Sequence, residues 1–188
     1  MTDARSLRTR AALHGAITDL ATQKPVGDIT VSELAEKAGI NRVTFYKHYT
    51  TPAEALADAL HTELAAACEA APPSNGLDPF THYIYAALDH LEARRDLYTI
   101  AFGDPVDGTI PIMLSRFLTG VAETYLTKRR KRKPAIPDVD LDVAAAFLAN
   151  GATGAIRVWI LEGDMSRERF FENLPHLLPV WFQASESN

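Results

Sequence analysis

Apolar residues recur at helical spacing along almost the whole chain. Leu13, Ala16, Ile17, Leu20 and Ala21 follow one face of a helix, which predicts a first helix that Ser6 can cap. The stretch KPVGD breaks it. Thr30 and Glu33 then have the spacing of a capping box, and Val31, Leu34, Ala35 and Ala38 put an apolar face behind them. Gly39 stops this second helix after about two turns. Asn41 can cap a third helix, and TTPAE starts a fourth, with Thr51 as cap, Pro52 at the first helical position and Glu54 closing a second box. The third helix is therefore confined to roughly Arg42–Tyr49. Two short helices joined through AGIN, with longer ones on either side, have the sequence form of a helix-turn-helix.

The same pattern continues past residue 70. APPSNGLDP is short and proline-rich, a stiff corner and not a flexible linker. Asp78 and Pro79 start a helix with Ile84, Leu88 and Leu91 on one side, and a short helix follows near Leu97–Phe102. After the turn GDPVDG, Ile110, Met113, Leu114, Phe117, Val121 and Tyr125 mark a long helix from about Thr109 to Lys128. DVAAAFLANGATGAIRVWI is crowded with Ala and Gly, and RFFENLPHLLPVWF carries more apolar surface than one helix of a small monomer needs. The predicted class is all-α. A helix-turn-helix domain, residues 1–50, is joined through the continuous helix TPAEALADALHTELAAACEA to a second helical domain, residues 51–188.

With 188 residues, 47% apolar and 23% charged, the composition is that of a globular protein. A net charge of −5 argues against a general nucleic-acid coat protein, but residues 1–50 hold seven Lys/Arg against five Asp/Glu, leaving −7 for the remainder. The basic part is the front. Cys68 is the single cysteine, which excludes an internal disulfide and a thiolate zinc site and predicts an inert side chain. The first residues, MTDARSLRTRAALHG, lack the apolar core of a secretory leader, and no stretch is expected to reach membrane-spanning length, so a cytoplasmic protein with no membrane partner is expected.

G-x-S-x-G, H-E-x-x-H and phosphate-cradling glycine loops are absent, and the six histidines are scattered. Asp138, Asp140 and Asp142 alternate at a helix start, where they favour the dipole and cap, without the glycine and glutamate of a calcium loop. No catalysis, cofactor or metal is expected. The run KRRKRKP at 128–134 sits where a helix ends and a loop with Pro134 and Pro137 opens, and reads as solvated.

The third helix holds the candidate chemistry. At about 100° per residue, Phe45 and Tyr49 share a side that can pack with Ile40 on Leu34 and the first helix. The opposite side presents Val43, Thr44 and Lys47, with Tyr46 at its edge and Arg42 at the start. A methyl surface, hydroxyls and cations are the equipment for thymine methyls, base edges and phosphates in a major groove. The competing reading is an ordinary solvated face.

TVSELAEKAGINRVTFYKHYTTPAEAL resembles the DNA-binding domain of TetR/AcrR-type transcriptional regulators, especially those whose third helix reads TFY. The resemblance covers about residues 6–56. It implies that Arg42, Val43, Thr44 and Lys47 face bases, that Tyr46 and His48 hold phosphates, and that Thr30 and Ser32 meet the DNA backbone, with Asn41 and Thr51 completing the set. For His48, packing under the fourth helix is the alternative. Where many family members have a phosphate-binding lysine, this chain has Pro52, so that contact is missing or is supplied by Thr50 and Thr51.

The resemblance further implies a homodimer paired through its last two helices, with Ala152, Ala155, Trp159, Phe171, Leu174 and Leu178 at the interface. It implies an effector pocket among the middle helices, with His82, Tyr85, Phe102, Met113, Phe117, Asn150 and Arg157. Arg157, among small and apolar residues, needs an acidic partner, a surface position or an anionic ligand. The implied function is a repressor that reads a roughly palindromic double-stranded operator and is released by a small apolar or amphipathic effector. A different class, an all-α small-molecule-binding or interaction protein that has lost DNA function, is disfavoured by the complete, basic third helix.

Overall fold

The computed structural model describes residues 4–71, 79–131, 135–162, 165–179 and 181–182, and among them it is helical throughout, with no strand. The helices are α1 (Ala4–Ala21), α2 (Val31–Lys37), α3 (Arg42–Phe45), α4 (Pro52–Ala70), α5 (Pro79–Ala93), α6 (Arg95–Gly103), α7 (Thr109–Arg129), α8 (Leu141–Glu162) and α9 (Arg167–Leu177). A 3-10 turn at Val26–Asp28 connects α1 to α2. The all-α class expected from the apolar spacing is what the structure has. α1 is already helical at Ala4, so Ser6 lies within it and is not its cap. The run 128–134 is described only as far as Lys131, and Asp78 lies outside the described residues.

Two compact units make up the chain: residues 1–67 with 90–113, and residues 68–89 with 114–188. The boundaries fall inside α4, α5 and α7 and do not follow the division at residue 50 expected for function. In the first unit α1 packs on α2, α2 on α3, and α6 on α1. Leu13, Ile17, Leu34, Phe45, Leu56, Leu60, Leu64, Leu97 and Tyr98 are its sealed interior. Burial of apolar area at about 25 cal/mol per Å² is the dominant favourable contribution to such a core. His90 faces the Tyr98 hydroxyl at 3.2 Å. Burial, with help from nearby Arg94, pulls the His90 pKa down to about 4, so it is neutral at ordinary pH.

The second unit is built on Phe80, Ile84, Leu88, Leu118, Leu126, Ile156 and Trp159. Phe80, Tyr125 and Phe182 form an aromatic cluster with centroid separations of 4.6 to 6.2 Å. Tyr125 donates its hydroxyl hydrogen to the Phe182 carbonyl at 2.9 Å. Arg129 donates to the Trp181 carbonyl at 2.9 Å and is only 4% exposed. That corrects the reading of the basic run as wholly solvated: its second residue turns inward to satisfy backbone oxygen. Cys68 is buried, and burial pushes its thiol up to about 11, which keeps it protonated and unreactive.

By length and composition α8 could cross a membrane, contrary to expectation. Its hydropathy comes from two sources. One side, with Ala145, Leu148, Ala149, Ile156, Trp159 and Ile160, is packed inside the unit. The other carries Val143, Phe147, Val158 and Leu161 exposed.

Candidate nucleic-acid interface

The approach to α3 is fixed by backbone chemistry. Gly39 has φ 67°, a conformation that would cost another residue roughly 1–2 kcal/mol. It allows the Ile40 N–H to bond the Ala35 carbonyl at 2.9 Å and the Gly39 N–H to bond that of Glu36 at 3.0 Å, the paired closure of a Schellman motif. Two residues later Asn41 caps α3, its side-chain oxygen accepting the Thr44 N–H at 2.8 Å. Thr30 caps α2 in the same way through the Glu33 N–H at 3.2 Å. The Glu33 carboxylate is held by Lys24 at 2.8 Å.

α3 is shorter than expected. Regular helix ends at Phe45, and residues 46–48 continue as turns, with the Lys47 N–H on the Thr44 carbonyl and the His48 N–H on that of Phe45. Tightening to three-residue bonds ends the helix in time for the chain to reach the cap of α4.

Around this short element the predicted residues separate cleanly. Phe45 and Tyr49 are buried. Val43 is 69% and Tyr46 53% exposed, high values for large apolar side chains. Arg42 and Lys47 are exposed beside them, and neither has a carboxylate partner among the described residues. Thr44 and His48 are half-buried, and Thr30, Ser32, Asn41 and Thr51 are exposed. The His48 ring lies 6.4 Å from that of Tyr49.

The start of α4 is already committed. Thr51 accepts the Glu54 N–H at 3.1 Å, while the Glu54 carboxylate accepts both the backbone N–H and the hydroxyl of Thr50, at 2.7 and 2.5 Å. These bonds hold the Glu54 carboxyl below its ordinary range. Thr50 therefore spends its donors on Glu54, and does not stand free to replace the phosphate-binding lysine absent at Pro52.

Sequence reasoning missed what holds α3 from behind. The Asp58 carboxylate, on α4, accepts from three groups: the Tyr49 hydroxyl, the Arg10 guanidinium in a two-pronged contact with Nε at 2.8 Å, and His14, whose Nε2 lies 2.8 Å away. His14 Nε2 is also 2.8 Å from the Tyr49 oxygen. Burial alone would raise the Asp58 pKa, but the bonds from Arg10, Tyr49 and His14 outweigh it and bring it down to about 2. The Tyr49 pKa is raised by burial and by the adjacent carboxylate. One signal was available: a tyrosine on a buried helix face must bring its hydroxyl to a partner.

The other predicted sites are more dispersed. Phe102 and Met113 are buried in the first unit, while His82, Tyr85, Phe117, Asn150 and Arg157 belong to the second. Asn150 and Arg157 are exposed, which answers the question posed by an arginine among small residues. Asn150 accepts from Ser115 at 3.0 Å. Tyr85 stacks on Phe171, with centroids 3.4 Å apart and planes 2° from parallel, and the pair lines a cleft of about 480 Å³ with Arg167, Glu168 and Glu172. Two residues assigned to different sites thus touch each other. Trp159 is 1% exposed and donates its indole N–H to the Met165 carbonyl at 3.2 Å, and Leu174 is also buried, so both are interior residues of their own chain. Ala152, Ala155 and Leu178 are half-buried.

No protein-family model matches the chain. YxbF of Bacillus subtilis, an uncharacterized helix-turn-helix-type transcriptional regulator, is 44% identical over 55 residues, which make up 29% of this chain and 14% of that protein. The match thus spans about one seventh of the relative's length. Among solved structures, a Syntrophomonas wolfei protein assigned to the TetR family of transcriptional regulators superposes with a TM-score of 0.67 at 12% identity, covering 90% of this chain and 92% of that one. The dihydroxyacetone kinase operon activator DhaS gives 0.64 at 18% identity, covering 90% and 93%. The fold is that of the TetR-type regulators.

The Asp58 cluster makes a prediction about acid stability. Its carboxyl is lower in the folded chain than the ordinary 3.8, so its stabilisation is complete above about pH 4 and is lost as pH falls toward 2. The Asp58→Asn variant should be less stable at neutral pH by on the order of 2 kcal/mol, and the difference from wild type should narrow below pH 4. Urea unfolding at pH 7 and pH 3 measures both. An equal difference at the two values excludes a depressed carboxyl.

Proposed function

We propose that the chain is a sequence-specific DNA-binding transcriptional regulator that acts as a homodimer in the cytoplasm. The observation that carries this reading is the outer face of α3. Arg42 and Lys47 stand there without carboxylate partners among the described residues, next to exposed Val43 and Tyr46, in a segment capped by Asn41 and turned by Gly39. The TetR-type fold and the similarity to a helix-turn-helix regulator support it. Lys47→Ala should weaken binding to the preferred duplex without lowering the melting temperature. If Lys47 meets phosphate, the salt slope falls by about one, and if it meets a base, preference changes at one position at a cost of about 1–3 kcal/mol. Duplexes selected from random sequence, then titrated by fluorescence anisotropy, measure either effect. Unchanged affinity at matched salt removes α3 from DNA reading.

The exposed side of α8 supports the homodimer. Val143, Phe147, Gly151, Gly154, Val158 and Leu161 fall within roughly 80° of one another at 100° per residue. Phe147 is 76% exposed, and the two glycines have open space where a Cβ would stand. Leu177 of α9 is also exposed. This stripe, and not the half-buried Ala152 and Ala155, is the surface we assign to the second copy. Phe147→Glu should leave the subunit folded, because the side chain is already outside the core, and should yield a monomer in light scattering with reduced affinity for a two-site operator. A wild-type protein that is monomeric at micromolar concentration contradicts the assignment.

Repression relieved by a small apolar or amphipathic effector completes the proposal, with half-buried His82, Tyr85 and Phe117 as the groups such a compound would meet. DhaS is described as an activator, so the fold alone does not fix the sign of regulation. Thermal shift across apolar and amphipathic compounds identifies a ligand. Linkage then requires operator DNA to weaken its binding by the factor by which it weakens DNA binding. Equal ligand affinity with and without operator rules out effector release.

A further inference from the structure

The Asp58 carboxylate lies behind the outer face of α3, and the groups that converge on it come from three parts of the first unit. Arg10 and His14 are one turn apart on α1, Asp58 is on α4, and Tyr49 closes the segment that begins with α3. α3 itself has four residues, too few to hold a helical conformation or a fixed direction unaided. Its C-terminal side is held by two means. The Phe45 and Tyr49 rings, 6.3 Å apart, are buried and supply apolar packing. Packing of this kind tolerates small rotations, whereas a hydroxyl bonded to a charge-assisted carboxylate fixes direction.

We propose that Asp58 is a positioning residue for DNA reading: through the Tyr49 hydroxyl it sets the direction of α3, while Arg10 and His14 fix the carboxylate that does so. It touches no base or phosphate in this account. The inference rests on the DNA-binding reading of α3 and adds to it a residue well away from the reading face in sequence. Its effect differs from that of Lys47. Loss of a DNA contact weakens a particular interaction, but loss of direction degrades every base contact together and spares phosphate attraction, which depends on charge and only weakly on angle.

Tyr49→Phe is the informative variant, because it keeps the ring, its burial and the net charge while removing the bond to Asp58. Affinity for the selected duplex should fall about tenfold, the value of one good charge-assisted hydrogen bond, while affinity for random duplex and the salt slope stay at wild-type values. Asp58→Asn should produce the same loss of preference. The double variant should lose little more than either single one, since both remove the same bond. A readout free of DNA accompanies this: amide exchange at His48 and Tyr49, which bond to the Phe45 carbonyl, should accelerate in both variants, while exchange at Ile40 in the turn after α2 stays slow. Unchanged exchange at His48 and Tyr49, or equal losses for selected and random duplex, overturns the positioning role. Failure of the DNA reading itself looks different: the wild-type protein would then select no duplex, whatever the exchange rates.

Discussion

A helix of four residues has no stability of its own, and the whole arrangement of the first unit answers that constraint. Nucleating a helical turn is unfavourable, and α3 gains almost no propagation to offset it. Its ends are therefore supplied from outside. The Asn41 side chain accepts the Thr44 N–H, Gly39 aims the chain into the cap, and the Phe45 and Tyr49 rings seal one side. Asp58 then gathers α1, α4 and the end of the α3 segment on one carboxylate. An element held entirely by its neighbours is free to spend its outer residues on something other than stability.

Charge is distributed in keeping with that. Arg10, Lys24, Lys37 and Arg94 of the first unit each meet a carboxylate, and so does Arg167 of the second. In a chain with net charge −5, acidic partners are plentiful. Arg42 and Lys47, beside an exposed valine and tyrosine, have no carboxylate partner among the described residues. Exposed surface pairs contribute little to stability, so their absence costs the fold little. The positive potential stays available to a polyanion.

What was legible in the sequence was local. Caps at Thr30, Asn41 and Thr51, the glycine turn and the apolar spacing act over three or four residues, and they placed α2, α3 and α4 and the inner and outer sides of α3. The Asp58 cluster joins residues 9 to 48 positions apart, and nothing in a local pattern indicates which helix faces which. The same limit applies to α8. Its Ala and Gly content makes nearly every side look apolar, so periodicity could not say whether Trp159 faces inward, which it does, or whether the outer stripe runs through Gly151 and Gly154 or through Ala152 and Ala155. Arg129 was hidden by its company: a cation in a run of cations reads as solvated, and only the fold brings the Trp181 carbonyl to it.

The stripe and the short helix are connected by magnitude on the DNA-binding reading. A bidentate side-chain contact discriminates one base pair by about 1–3 kcal/mol, and α3 with the turn after it exposes only Arg42, Val43, Tyr46 and Lys47 fully. At about 2 kcal/mol each, two or three such contacts reach only the lower part of the roughly 4–10 kcal/mol that separates specific from non-specific binding. One copy of α3 therefore reads too little DNA to find a site alone. Two copies held at a fixed separation double the discrimination and add a spacing requirement that costs no further side chains. Such a pairing needs a rigid, self-complementary surface, and an apolar stripe with two glycines at its centre lets two α8 helices approach closely. On the proposed dimer reading, a short reading helix and an exposed apolar helix face become two parts of one requirement: the first calls for a second copy, and the second gives it a surface to pair on.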